Sequence, residues 1–410
     1  MPRSKPVLLL QYGVREHDGV KLLLFSDLHL DTSFRWAGPD AARKRRRNLR
    51  TTLTKIAQLA GELQVDALCC GGDLYEHERF APDTGEFLRA TFEVLDPLPV
   101  FIAPGNHDWY GPTSLYHQVE WSPNVHVFVE NHFSPVDLAD GLSLWGAAHR
   151  APAHTPDLLQ GFNVNRSGVN LALFHGSESG GFVRQEEGKL PHAPFRAEEI
   201  AQAGFAHALL GHFHQPTDGP THTYPGNPDP LEFGEQGERG AVLISVGADG
   251  KVERDCLRVA TSVVEDVTVD LTGVTHTDQA REKVRSELTA HQGFVRLTLV
   301  GEVAPEVDVD PAEFTVDSVA PQLDAMTTRL NNLQVSYDLG ALAAESTIRG
   351  QFVRDVQQAD GLDEDKRRKI IITGLRALSG RNCSGPLRVA STTCTVDART
   401  VGNSTPRSHS

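Results

Sequence analysis

No stretch of this chain approaches the roughly 18 consecutive apolar residues of a membrane-spanning helix, which excludes that class of protein. The start, MPRSKPVLLLQYGVREHDGV, is basic but its apolar patch is brief. It lacks both a signal-peptide core and a small-residue cleavage site, so a cytoplasmic location is expected. Cysteine is scarce: five residues, an odd count in no disulfide spacing, which excludes a disulfide scaffold. Cys69 and Cys70 sit in the apolar stretch VDALCCGGD and read as buried small hydrophobes. Positive charge is also short. With 39 Lys and Arg against 54 Asp and Glu, the net charge is −15. A protein that grips nucleic acid through its overall charge is therefore excluded, because that affinity comes from neutralising phosphates. Any contact with DNA needs a local basic patch or bound metal ions.

What is present is enough for packed cores. Hydrophobic residues make up 39% and charged residues 23%, as in globular chains, and 410 residues predict two or three domains. From 21 to 260, short apolar runs alternate with amphipathic or loop segments, the pattern of an α/β domain. The runs are Leu22 to Phe25, Val65 to Cys70, Val100 to Ala103, Leu171 to Phe174 and His207 to Leu210. Between the first two, Leu49, Leu53, Ile56, Leu59 and Leu63 recur at spacings of three and four and predict a helix from Ala41 to Leu63. The stretch GERGAVLISVGADGKVERDCLRV predicts a hairpin turning at Ala-Asp-Gly. A smaller α/β unit is expected over 261–320, with strands at Val263 to Leu271 and Phe294 to Val300 around a helix at Thr277 to Leu288. Helices are expected over 321–379, the segment from Gln322 to Leu378. Residues 1–20 read as an extension, and 380–410, rich in Ser, Thr, Gly and Arg, as a disordered tail.

Five motifs carry the chemistry: Ser26-Asp27-Leu28-His29, Gly71-Gly72-Asp73, Gly105-Asn106-His107-Asp108, His175-Gly176 and Gly211-His212-Phe213-His214. Each directly follows an apolar run, which places it just past the carboxyl end of a strand, where open α/β sheets bind ligands. Asp27, His29, Asp73, Asn106, His175, His212 and His214 would then converge on one rim. Imidazoles and carboxylates together suit first-row divalent metals. One Asp can bridge two ions, and Asn adds a neutral oxygen. Two ions about 3.5–4 Å apart can activate a water and stabilise both oxygens of an in-line displacement at phosphorus.

In this order the motifs resemble the calcineurin-like metallophosphoesterase superfamily, over about the first 260 residues. The resemblance implies a four-layer α/β/β/α domain, followed by a small α/β capping domain and C-terminal helices. It implies one ion held by Asp27, His29, Asp73 and His214, and a second held by Asp73, Asn106, His175 and His212. It assigns His107 to the scissile phosphate and the leaving group rather than to a metal, with Asp108 expected to orient that imidazole. Ser26-Asp27-Leu28-His29-Leu30-Asp31-Thr32-Ser33-Phe34 and the segment Tyr224 to Glu235, YPGNPDPLEFGE, are similar to SbcD-type and YhaO-type DNA-repair exonucleases. That branch implies a metal-dependent DNA exonuclease or endonuclease in double-strand-break repair. Manganese is the expected ion, with iron, zinc or magnesium as other candidates. The expected partners are DNA, an SbcC-type coiled-coil ATPase and a second copy of the chain. GNHD rather than GNHE separates this chain from the protein phosphatases. Tyr75 lies two residues after Asp73, not three, which separates it from the purple acid phosphatases. The metal motifs alone do not choose a substrate, so a small-molecule or cyclic-nucleotide metallophosphodiesterase is the alternative.

Three features stay open at this level. The basic run Arg43-Lys44-Arg45-Arg46-Arg47, with Arg50, is either a solvated helix face or a DNA contact. Trp109 and Tyr110 either wall the pocket or stack on a base. The helical segment with Ile370-Ile371-Ile372 either packs locally or docks the ATPase.

Overall fold

A computed structural model describes residues 19–379 apart from 154, 181–190 and 236. The expected extension, except its last two residues, and the expected tail lie outside the described residues. The chain divides into two compact units. The first runs to Asp266 and takes in Ala290–Arg296 and Pro321–Thr327; the second comprises Val267–Thr289, Leu297–Ala320 and the residues from Thr328 onward.

The strands of the first unit are, in chain order, β1 (Val20–Phe25), β2 (Ala67–Cys70), β3 (Val100–Ile102), β4 (Val125–Val127), β5 (Ser134–Ala139), β6 (Leu142–Gly146), β7 (Val169–His175), β8 (His207–Gly211), β9 (Thr217–Asp218), β10 (His222–Tyr224), β11 (Gly240–Val246) and β12 (Val252–Arg258). They form two six-stranded sheets, ordered β12-β11-β1-β2-β3-β4 and β5-β6-β7-β8-β10-β9. Neighbours β1, β2, β3 and β4 are parallel, as are β6, β7, β8 and β10. The expected hairpin is present: β11 and β12 pair antiparallel from Gly240↔Arg258 to Val246↔Val252.

Alternation along each strand builds the layers, since successive side chains point to opposite faces. In β1, Leu22 and Leu24 join Cys69, Phe101, Leu144, Leu171, Leu173 and Leu209 in a buried core. These residues come from both sheets, so this core lies between them. Leu23 and Phe25 point the other way, with Leu68 and Cys70, onto helices α1 (Pro39–Glu62) and α2 (Thr84–Glu93). Helix α1 starts with Pro39 at its first turn, where a missing N–H costs nothing. It buries Leu49, Leu53, Ile56 and Ala60 at helical spacing. A short helix α3 (Leu115–Gln118) follows β3, and α4 (Ala197–Gln202) packs Ile200 with Phe174, Ala208 and Leu210 on the outer face of the second sheet. The result is the four-layer α/β/β/α arrangement. Both adjacent cysteines are buried, one on each face of β2, and burial pushes the Cys69 thiol up to about 12.

Strands β13 (Val264–Asp270), β14 (Phe294–Val303) and β15 (Ala325–Val335) form a three-stranded sheet in that order, with α5 (Thr277–Leu288) between the first two in sequence. Here the reading from Gln322 to Leu378 is corrected: β15 is a strand where helix was expected. AMTTRLNNLQV carries no helical apolar stripe, and Leu333 and Val335 are buried two apart, the spacing of one strand face. After β15 the expectation of helices is met by α7 (Leu339–Ala344), α8 (Ile348–Gln358) and α9 (Glu364–Leu378), numbered after the short α6 (Val316–Val319). Leu342, Val353, Val356, Ile371 and Leu375 form the core of these helices. Among the described residues, no helix is long and apolar enough to cross a membrane.

Candidate metal centre

The five motifs leave the carboxyl ends of β1, β2, β3, β7 and β8, and the two sheets touch where they do so. Gly71 and Gly211 pack backbone to backbone; a Cβ on Gly71 would lie 2.8 Å from the carbonyl carbon of Leu210. Gly105 is pressed against Asp73 in the same way, and a Cβ there would also stand 2.9 Å from His175 Nδ1. Any larger side chain would wedge the sheets apart at the site.

The backbone is bent to aim the side chains. Asp27, His29, Asp73 and His212 all have positive φ, at 53°, 49°, 51° and 117°. Each such non-glycine residue costs on the order of 1–3 kcal/mol, and such strain concentrates at functional sites. Cross-loop hydrogen bonds hold it: Asp27 N–H donates to Gly72 O and His29 N–H to Asp73 O, both at 2.9 Å.

The ring nitrogens meet in pairs. His29 Nε2 and His214 Nε2 are 3.3 Å apart, and His175 Nε2 and His212 Nδ1 are 3.2 Å apart. In the first pair the far nitrogens are engaged, His29 Nδ1 with Glu76 Oε1 at 2.9 Å and His214 Nδ1 with Glu235 Oε1 at 3.0 Å. In the second, His175 Nδ1–H donates to Gly71 O at 2.9 Å. The lone pairs of His29, His214 and His175 are thereby turned inward, toward Asp73 Oδ2 at 3.6 Å for His29 and 3.3 Å for His175. Facing lone pairs repel unless a cation lies between them. Among the described residues, the buried Asn106 Oδ1 has no hydrogen-bond partner. An orphaned carbonyl oxygen, converging imidazoles and buried carboxylates are the donor set that divalent ions take. The residues fit the metals.

Among the described residues, three groups bring one ligand atom from each member to within 4.8 Å of one another: Asp27, His29 and His214; His29, Asp73 and His107; and Asp27, Asp73 and His175. Burial opposes ionisation of Asp73, but His175, His107 and His29 outweigh it and hold the carboxyl well below the usual range. Burial lowers His212 to about 2 and keeps it a neutral donor. Over these groups lies a cavity of about 910 Å³, onto which His29, Asp73, Asn106, His107, His212 and His214 open. Asp27 and His175 are fully buried beneath.

Residues 20–216, from the start of β1 to just past His214, match the model of the calcineurin-like phosphoesterase family. This span is a calcineurin-like metallophosphoesterase domain. Such a domain supports metal-dependent hydrolysis of a phosphoester. The chain is 27% identical over 316 residues to the uncharacterized metallophosphoesterase YhaO of Bacillus subtilis (strain 168), covering 71% of this chain and 74% of that protein. Among solved structures it is similar to TT1561 of Thermus thermophilus, at 16% identity and a TM-score of 0.33, covering 58% of this chain and 99% of that one.

Within the metallophosphoesterase domain all seven expected ligand residues and His107 come together. Asp108 does not orient the imidazole as expected. Its carboxylate is fully buried and accepts hydrogen bonds from Leu74 N at 2.7 Å, Gly105 N at 2.6 Å, Asp73 N at 3.1 Å and the Tyr116 hydroxyl at 2.5 Å. Asp108 thus ties the β2 and β3 loops together, because its own loop turns it inward while His107 turns out. Burial and the neighbouring Asp73 push its carboxyl up to about 6.

The residue that does meet His107 is Glu76, which sequence reasoning missed. Its Oε2 lies 3.3 Å from His107 Nδ1, while Oε1 holds His29. Glu235 was also missed, although it closes the YPGNPDPLEFGE segment. Besides His214 it accepts from Asn227 Nδ2 and Leu231 N, both at 2.6 Å. The only available signal was an acidic residue beside each motif, which is common at surfaces.

Within the basic run Arg45 is buried, Arg43 and Arg47 are exposed, and Lys44, Arg46 and Arg50 are half-buried. Arg45 is fully buried, 2.8 Å from the equally buried Asp229. Arg43 pairs with Asp40, Lys44 with Asp324 at 2.5 Å, and Arg50 with Asp83 at 2.7 Å. Trp109 packs against His77 at 4.5 Å and Tyr110 against His117, and neither lines the cavity. Phe34, Trp36 and Phe233 do.

Proposed function

We propose that the chain is a two-metal nuclease that hydrolyses phosphodiester bonds in DNA and serves double-strand-break repair. The observation that carries the hydrolytic part is the meeting of inward lone pairs around the buried Asp73 and the orphaned Asn106 Oδ1. Asp27, His29, Asp73 and His214 would hold one divalent ion, and Asp73, Asn106, His175 and His212 the other. Bound there, manganese or a similar ion supplies the positive charge that draws a phosphodiester into an acidic protein and polarises the attacking water.

The chain's own groups do the rest. Asp73 sits between both sets of donors. His107 stands at the cavity, 46% exposed, with Nδ1 held by Glu76 and Nε2 left to reach substrate. Burial lowers its pKa, but Asp73 and Glu76 outweigh burial and raise it to about 9 in the ion-free site, which favours a ring with a proton on Nε2. That proton is available at Nε2 to a non-bridging phosphate oxygen and then to the leaving oxygen.

DNA as substrate is supported by the likeness of the Ser26 to Phe34 and Tyr224 to Glu235 segments to repair exonucleases. In the same vein, helices α8 and α9 are the proposed docking face for an SbcC-type ATPase; Ile348 and Ile370 are exposed there. One observation favours the alternative, a small phosphodiester: with Arg45 buried and Arg43, Lys44 and Arg50 paired, the run offers a DNA backbone Arg46 and the exposed Arg47 alone. The deciding experiment is manganese-dependent release of nucleotides from an end-labelled linear duplex, with a chelator as control. Release that the chelator stops supports the nuclease. No release from DNA, alongside rapid hydrolysis of bis-p-nitrophenyl phosphate, transfers the reading to the smaller substrate.

A further inference from the structure

The cavity over the metal centre has a second wall with no part in holding ions. Phe34, Arg35, Trp36 and Phe233 line it, facing the same space as His107 and His214. We propose that Trp36 and Phe233 form a nucleoside subsite, taking a base next to the phosphodiester at the metal centre, with Arg35 reaching the neighbouring phosphate. The proposal rests on the phosphodiesterase reading and specifies its substrate class: a phosphodiester with a planar base on at least one side.

The two rings are half-buried, and their centroids are 4.5 Å apart, tilted by 59°. They are not casual packing of a mobile surface. Trp36 Nε1–H donates to Leu231 O at 3.1 Å, which ties the loop after β1 to the segment that carries Phe233. The guanidinium of Arg296 lies 4.9 Å over the Phe233 ring and is itself gripped by both oxygens of Asp266, at 2.5 and 2.9 Å. Rings fixed in this way lose little freedom when a base stacks on them. The approach to Trp36 is also bent on purpose: Asp31 and Phe34 have φ of 69° and 46°. For a bulky residue such as Phe34 that region is an outlier, of the kind that gathers at ligand sites.

Both segments are coupled to the ions' side of the cavity. The first begins with Asp27 and His29, and the second ends with Glu235, which holds His214. A base lying on Trp36 and Phe233 is therefore set in register with a phosphate at the centre. Arg35 completes the set. It is exposed at the cavity and makes no ion pair among the described residues, unlike most cations nearby. A free guanidinium beside aromatic rings is what a nucleotide, rather than a simple phosphate, calls for.

Two measurements test this. In EDTA, calorimetric titration with a thymidine pentanucleotide reads the subsite without metals. Trp36→Ala and Phe233→Ala are expected to weaken binding about tenfold or more. Arg35→Gln, at an exposed position, should weaken it several-fold and make it less sensitive to salt. Thermal melting checks that each variant is folded. With manganese, the ratio of kcat/KM for thymidine 5′-p-nitrophenyl phosphate over methyl p-nitrophenyl phosphate should exceed ten in the natural protein. The ratio should fall toward one in the ring variants. Equal binding by folded variants and natural protein would overturn the subsite, as would a ratio near one in the natural protein. Failure of the phosphodiesterase reading looks different: neither ester nor DNA is hydrolysed with any divalent ion, while the binding titration still decides the subsite.

Discussion

Glu76 holds His29 and His107 with one carboxylate, Oε1 at 2.9 Å from one Nδ1 and Oε2 at 3.3 Å from the other. The two imidazoles meet edge to face at 4.8 Å between centroids. A proposed metal ligand and the group proposed to protonate the leaving oxygen therefore share a single orienting residue. Burial works against its ionisation, but His107 and His29 hold its carboxyl down at about 2. Glu76→Gln can accept from only one ring at a time. Turnover is expected to drop about 10- to 100-fold, with a weaker apparent affinity for manganese. A metal titration of phosphodiester hydrolysis checks both, and a variant with unchanged metal dependence would remove Glu76 from this role.

His107 touches the cavity but is not needed to hold ions in the proposed ligand sets. His107→Ala should therefore lower kcat by about 10²- to 10⁴-fold while leaving bound metal nearly constant. Elemental analysis of the purified variant, beside its kinetics, separates the two effects. Loss of metal together with activity would make His107 a ligand instead.

The facing nitrogens of His29 and His214, 3.3 Å apart, would be relieved by a cation in the proposed site. Manganese should thus stabilise the folded chain, by about 2.7 kcal/mol at a hundred times its Kd. The melting temperature should rise with manganese and fall back in EDTA. Asp73→Asn, which removes the charge between both donor sets, should show little of this shift.

Arg45 is buried against Asp229, which also accepts from Thr52 Oγ1 at 2.9 Å and Thr261 N at 2.7 Å. Arg45→Met leaves that carboxylate buried without its cation, at a cost of about 3–5 kcal/mol. Urea unfolding measures it. The salt dependence of DNA binding should be nearly unchanged, whereas a phosphate contact would reduce its slope.

His207 is buried on β8, its Nε2 2.9 Å from Thr223 Oγ1. Burial, with the Arg254 and His222 charges, lowers its pKa to about 3. An unfolded histidine titrates near 6.5, so between roughly 6.5 and 3 the unfolded chain binds the additional proton. This contribution is complete above about pH 6.5 and falls by roughly 2 kcal/mol on acidification to pH 5. His207→Gln should flatten the pH dependence of stability over that interval, as read by urea unfolding at a series of pH values.

Much of the domain was legible because the signals are local. Leu22 to Phe25, Leu171 to Phe174 and their counterparts are short apolar runs, and each is followed within five residues by a group that can bind metal. Helix α1 announced itself through Leu49, Leu53 and Ile56 at helical spacing. β15 did not: TTRLNNLQV has neither period clearly, and its pairing with β14, the strand before it, decides its form.

From the sequence alone, the candidate donors and their order could be named, since a ligand's chemistry belongs to its residue type and strand ends follow from local apolar patterning. Which carboxylate serves which imidazole was decided only by the tertiary structure. Glu76 meets His29 across 47 residues, Glu235 meets His214 across 21, and Arg45 finds Asp229 across 184. Asp108, adjacent to His107 in sequence, was turned away from it by the loop that both share. Neighbourhood along a chain constrains which way a backbone runs. Hydrogen bonds and buried charges depend on where separate segments arrive, and the packing of the two sheets set that.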